Sequence, residues 1–178
     1  DVVYLDTNHL AQPVALLSQV RDLGFKLKFI FLSTLPDALQ TDPRAENVLT
    51  SVQWLAMMDW HAENGETVSA WAHRFEERYG APANVKSVAA YESLNLVEHA
   101  LRQVAPTPTE FSDPRSLRPA LLRALYRTRA DNTLFGPIRF DDFGQNAHPV
   151  LIIQVQKGEP VVVYPVDYRI RDQVIPNE

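Results

Sequence analysis

Two short apolar runs bracket a helix-patterned stretch at the start of this 178-residue chain, and that arrangement narrows its architecture most. Val2-Val3-Tyr4-Leu5 and LKFIFL at residues 27–32 lack polar alternation, the pattern of strands covered on both faces. Between them Leu10, Val14, Leu17 and Val20 recur at helical spacing over residues 10–23. Arg21 sits near the end of that helix, and Gly24 stands where a left-handed residue closes one. Strand, helix and strand of this length predict a parallel pair joined by a right-handed crossover. The chain enters its first strand directly at Asp1, without an initiator Met, so a fragment of something longer is expected.

Further along, residues 33–46 read as a polar loop holding Pro36 and Pro43, and residues 47–55 as a third strand. Three helices are expected next. The first spans 66–79, with Val68, Trp71, Phe75 and Tyr79 on one stripe and Gly80 closing it. The second spans 85–105, with Ala90, Leu94, Val97, Leu101 and Val104 on its buried stripe. The third spans 117–129 and tolerates Pro119 in its first turn. After that the period changes to two. Residues 134–140, 149–156 and 161–164 read as strands, with turns at 141–147 and 157–160.

Composition removes several chemistries. The chain has no Cys, which excludes disulfides, thiol nucleophiles and cysteine-ligated metals. Its net charge of −5 argues against a general nucleic-acid or anionic-membrane binder, since phosphate affinity needs clustered cations. No apolar run approaches the roughly 20 residues of a membrane span. Only six Gly are present, and they form neither a dinucleotide fingerprint, a phosphate loop nor a nucleophile elbow. His73, Glu76 and Glu77 share a helical spacing that could hold a metal, but a solvated polar face is the simpler reading. Asp141-Asp142-Phe143-Gly144 lacks the alternating acids of a calcium loop and reads as a turn. Trp54, Met57, Met58 and Trp60 read as core, with the wall of a ligand pocket as the alternative. Nothing in the sequence argues for catalysis.

The segment LFGPIRFDDFGQN at residues 134–146 resembles the FGPIRFDxxGQN hairpin of type I periplasmic binding proteins of the leucine/isoleucine/valine-binding family. Other segments agree in the same order. DVVY at 1–4 with LLSQVRDLGFK at 16–26 is similar to that family's DxVYxxG…LLxQxRxLGxK. FEERYGAP at 75–82 with AAYES at 89–93 is similar to its FxxRYGxxP…AAYDAV, and VVVYP at 161–165 to its closing PVVVYP. The resemblance covers nearly the whole chain and corresponds to the C-terminal half of the family's protein. It implies an α/β fold, the C-terminal part of a two-lobe type I fold with a parallel βαβ sheet plus antiparallel hinge and hairpin strands. By analogy residues 1–55 and 150–178 belong to the second lobe and 56–149 to the first, the N-terminal half lying outside this sequence. The implied partners are a small ligand (an amino acid or related organic acid), a membrane ABC permease and the remaining N-terminal portion of the same protein. No cofactor, metal or nucleic acid is implied, and the expected location is periplasmic or membrane-anchored outside the cytoplasm.

Open α/β sheets bind ligands at the carboxyl ends of their parallel strands. Here those ends are Asp6-Thr7-Asn8-His9 and Ser33-Thr34, and the first leads into a helix N-terminus that favours an anionic group. Helix capping by Thr7 or Asn8 and loop bonding by Ser33 are equally good readings of the same residues. Amino-acid binders of the family commonly place a carboxylate near the end of the second strand, where this chain has Ser33 and Thr34. Asp6 could substitute, or the ligand lacks an α-amino group. A solute-binding protein for ABC transport is therefore expected. A sensing ectodomain of the same fold and an α/β enzyme using the same cleft are the rivals.

Overall fold

The opening apolar pattern folds into β1 (Val2–Leu5), α1 (Ala11–Asp22) and β2 (Phe29–Leu32). The computed structural model describes residues 2–7, 9, 11–33, 35, 39, 42–104 and 114–175. Pro13 is tolerated in the first turn of α1, where its missing N–H has no intrahelical partner to lose. Gly24 ends the helix at φ +65°, its N–H on the Arg21 carbonyl at 3.0 Å and Phe25 N–H on Val20 at 3.1 Å. That pair of bonds satisfies carbonyls the last turn would otherwise leave open.

β1 and β2 run parallel with Val2 beside Phe29 and Leu5 beside Leu32. β3 (Leu49–Val52) joins parallel to β2. β6 (Leu151–Gln156) and β7 (Glu159–Tyr164) then extend the sheet antiparallel, giving the order β1-β2-β3-β6-β7. The β6–β7 hairpin turns on two residues, Lys157 at φ 57° and Gly158 at φ 76°. Positive φ at both positions suits the right-handed twist of the flanking strands. The turn is shorter than expected, because Glu159 and Pro160 already belong to β7. Pro160 fits there because β7 is an edge strand.

One face of this sheet is closed by α1: Leu17, Leu32, Val48 and Val155 are buried together, with Leu5, Val14, Leu16 and Ile30 packed against them. Each such Leu contributes about 1.5–3 kcal/mol on full burial. The other face buries Leu49, Val161 and Val163, with Phe29, Phe31 and Ile152 packed against them. Towards β1 it opens: Val2 is 63% and Tyr4 62% exposed. Gln154, fully buried, clamps the chain end by donating to the Val174 carbonyl (2.8 Å) and accepting the Val174 N–H (2.8 Å).

The chain divides into two compact units, residues 1–53 with 150–178, and residues 54–149. The second is built from α2 (Val68–Tyr79), α3 (Val85–Val104), α4 (Pro114–Arg127), β4 (Arg129–Ala130) and β5 (Ile138–Arg139). Thr67 caps α2 by accepting Ala70 N–H at 3.2 Å, and Gly80 closes it at φ 67°. Its core is Trp54, Val68, Trp71, Val88 and Leu134, tied by Trp54 Nε1–H to the Leu134 carbonyl at 2.9 Å.

Three expectations need correction here. α3 buries Val88, Glu92 and Ala100, while Leu94 on the expected buried stripe is 72% exposed. α3 carries apolar residues on two faces, and Glu92 decides between them by accepting the buried Leu134 N–H at 2.7 Å. α4 starts at Pro114, so Pro119 lies in its second turn and withholds one helical hydrogen bond there. Residues 134–137 are a turn and not a strand. Thr133 Oγ1 accepts the Phe135 N–H at 3.1 Å, and Gly136 N–H returns to the Thr133 carbonyl at 3.0 Å. Gly136 sits at φ 84° against the Trp60 ring, where a Cβ would lie 3.0 Å from the ring carbons. That position requires glycine for both reasons.

His148 closes the same turn, with Nε2 2.6 Å from the Phe135 carbonyl and Nδ1 2.7 Å from that of Pro149. Burial holds its pKa below the ordinary 6.5, outweighing the two carbonyls that favour the cation. The unfolded chain therefore binds this proton more readily than the fold. Its contribution is full above pH 6.5 and shrinks as pH falls towards the lowered value. Trp fluorescence melts should show a lower Tm at about pH 5.5 than at about pH 7.5, and His148→Asn should narrow the gap. A wild-type Tm that does not fall over that interval rules the linkage out.

Candidate functional site

Parallel pairing sets the carboxyl ends of β1 and β2 side by side. Ser33 N–H continues the ladder to the Leu5 carbonyl at 2.9 Å. Two residues beyond Leu5, Thr7 N–H donates to Ser33 Oγ at 3.0 Å, so the two strand ends are bonded through a side chain. The Thr7 hydroxyl donates to Gln12 Oε1 and accepts His9 N–H at 3.0 Å. Gln12 N–H then bonds the His9 carbonyl at 3.1 Å, which turns the chain into α1.

Of the residues singled out from sequence, Thr7 is buried, Ser33 half-buried, and Asp6 and His9 exposed. Asn8 and Thr34 lie outside the described residues. Thr7 and Ser33 are brought together: Ser33 does loop bonding by accepting the Thr7 N–H, and the Thr7 hydroxyl bonds the His9 N–H and the Gln12 side chain, with no helical N–H of α1 capped by it among the described bonds. Gln12 was not legible as part of the cluster. Its only signal is an amide in the first helical turn, five residues after Thr7.

The arrangement offers neutral hydrogen bonds beside a helix N-terminus, flanked by one imidazole and one carboxylate. The Thr7 proton is committed to Gln12. The Ser33 hydroxyl has only a 3.5 Å approach to the Thr7 carbonyl, so its proton is the more easily redirected to a ligand. Among the described residues no group of three or more His, Asp or Glu is placed to hold a metal. His73 Nδ1 lies 3.6 Å from Glu77 with both side chains exposed, a solvated pair. The Asp141 carboxylate accepts Phe143 N–H at 2.9 Å and Gln145 N–H at 2.8 Å, which makes it a turn anchor. Trp54 and Met58 are buried, Trp60 packs on the core and Met57 is exposed, so this cluster is mainly core. Asp42 stands outside the site, its carboxyl lowered to about 2 by side-chain and backbone hydrogen bonds from Arg44.

A family model described as periplasmic binding protein matches residues 1–160. No curated protein matches the chain significantly. Solved structures do. A leucine-binding protein of Thermotoga maritima superposes with a TM-score of 0.67 at 16% identity over 90% of this chain and 43% of that one. A leucine-, isoleucine-, valine-, threonine- and alanine-binding protein of Brucella ovis gives 0.69 at 19% over 97% and 45%. A solute-binding protein of R. palustris, solved in complex with benzoate, gives 0.61 at 14% over 94% and 50%. At these identities the likeness is one of fold. The chain spans about half the length of these structures. Among the described residues no helix is long and apolar enough to cross a membrane.

Proposed function

The chain belongs to the periplasmic binding protein family, and from that premise we propose that it is the C-terminal part of an extracytoplasmic solute-binding protein feeding an ABC transporter. The family match over residues 1–160 carries this reading. Residues 1–53 with 150–178 form part of one lobe and residues 54–149 part of the other, with the ligand held by lobe closure and released unchanged. The remaining N-terminal portion of the protein completes both lobes, and a membrane permease receives the solute.

The ligand is a small carboxylate, an amino acid or a related organic acid. Supporting this class, one relative is named for five amino acids and another was solved with benzoate. The Thr7–Ser33 platform supplies neutral donors, and the α1 N-terminus favours an anion. Ser33 where a carboxylate would suit an ammonium inclines the site towards acids without an α-amino group.

The test is calorimetric titration of the full-length protein with the amino acids and with benzoate-like and aliphatic acids. One of them should bind, and Ser33→Ala should weaken it about tenfold, the worth of one hydrogen bond to a charged group. Tm measured alongside separates lost contact from lost fold, because Ser33 also accepts the Thr7 N–H. Failure of every acid to bind, or an unchanged Kd in the variant, would reject the ligand class or the site respectively.

A further inference from the structure

A cavity of about 400 Å³ lies wholly within the unit of residues 54–149, along the flank of α3 that carries Asn95, His99 and Arg102. Glu92 lines it, and among the described residues no other carboxylate is buried. Both Glu92 oxygens accept N–H bonds, from Leu134 at 2.7 Å and from Asn95 Nδ2 at 3.2 Å, so the group is held as an anion. Both donors are neutral amides. Among the described residues no cation pairs with it. Arg102 is committed to Glu98 at 2.6 Å, and Arg129 donates to the backbone carbonyls of Tyr126 and Thr128. Glu63 adds a further acid to the wall. A buried charge is ordinarily paired, because desolvation without a counter-ion is unfavourable. Binding the Leu134 N–H does not account for the charge: the neutral oxygen of a Gln would accept it at a lower desolvation cost.

We propose that this cavity is a second binding site, for a small organic ammonium compound whose N–H groups meet the Glu92 carboxylate and the Asn95 side-chain oxygen. An ammonium supplies the missing positive charge together with several donors, and a carboxylate with two bonds made has lone pairs left to accept them. Tyr91 and Leu96 give the alkyl part of such a compound an apolar wall. A metal ion is the poorer occupant, since among the described residues no three His, Asp or Glu side chains are placed to hold one. The sign of charge separates this site from the Thr7–Ser33 platform, whose neutral donors beside a helix N-terminus suit an anion. The inference stands on the 54–149 unit and does not depend on the solute reading.

The test is an NMR titration of the isotope-labelled full-length protein with n-butylammonium, using butyrate as the matched anion, butanol as the matched neutral probe and sodium as the inorganic cation. Butylammonium should shift the Asn95 side-chain amide and the Leu134 N–H saturably, at concentrations where the other three do not. Glu92→Gln keeps an acceptor for the Leu134 N–H and removes the charge, so it should weaken binding about tenfold or more, the worth of one hydrogen bond to a charged group. Asn132 lines the cavity from an exposed position. Asn132→Trp should therefore obstruct the cavity and abolish the shifts while moving Tm by less than about 2 °C. If Glu92→Gln does not fold, the probe series and Asn132→Trp decide the matter. The proposal is overturned by the absence of a saturable shift in the wild type, by an equal response to butanol, butyrate or sodium, or by undiminished butylammonium affinity in either folded variant.

Discussion

Replacing Glu92 with Ala should destabilise the unit of residues 54–149 by about 3 kcal/mol. The side chain lies in the interior at 5% exposure. One carboxylate oxygen accepts the Leu134 N–H at 2.7 Å and the other accepts from Asn95 Nδ2 at 3.2 Å. The Leu134 amide is buried, 42 residues away in sequence, and opens the turn that carries Gly136. Losing a charged acceptor removes about 1.5–3 kcal/mol, and leaving the donor buried and unmet costs about 1–3 kcal/mol, the two overlapping. Glu92→Gln keeps an oxygen near the amide and should lose about 1 kcal/mol. Glu92→Leu fills the space, leaves the amide unmet, and should resemble the Ala variant. Urea titrations followed by Trp fluorescence read this unit specifically, because Trp54, Trp60 and Trp71 all lie in it. Gln and Leu variants that both keep the wild-type midpoint, with Ala alone destabilised, would show that Glu92 acts by packing alone.

Glu92 also marks where sequence reasoning stops. The opening strands and α1 could be read because each is a contiguous pattern with its own stop signal, down to Gly24 at the helix end. α3 could be read as a helix but not oriented. Its two apolar faces are nearly equal in periodicity, and the residue that selects one is an acid that periodicity assigns to solvent. The turn at residues 134–137 was hidden likewise. Leu134 and Phe135 suit a strand, and Thr133 and Gly136 override them through hydrogen bonds that depend on local geometry. At the candidate site, strand ends and residue types were legible, whereas the Thr7–Ser33 bond needs the parallel register and the Gln12 contact needs the helix start.

The second large effect lies beneath that site. Leu32 is fully buried at the end of β2, packed with Leu17, Val48 and Val155, and it immediately precedes Ser33. Leu32→Ala removes three buried carbons from a layer held between α1 and the sheet, which costs about 2–5 kcal/mol depending on how far the neighbours close in. α1 is tied on both sides of the gap, by Gly24 at its C-terminus and by the Thr7–Gln12 contact at its N-terminus, so it has little freedom to collapse and the upper half of the range is expected. The Trp signal belongs to the other unit, so the measurement is amide exchange of β2 and β3 under native conditions. The Ser33 N–H, held by the Leu5 carbonyl at 2.9 Å, should exchange faster in step with them. Tyr4→Ala, on the exposed edge strand, should change the same amides by less than about 0.5 kcal/mol. If the platform at Thr7 and Ser33 is positioned by this layer, Leu32→Ala in the full-length protein should weaken ligand binding along with stability. Normal affinity in a Leu32→Ala protein whose β2 amides have lost their protection would show that the strand ends hold the site without the core beneath them.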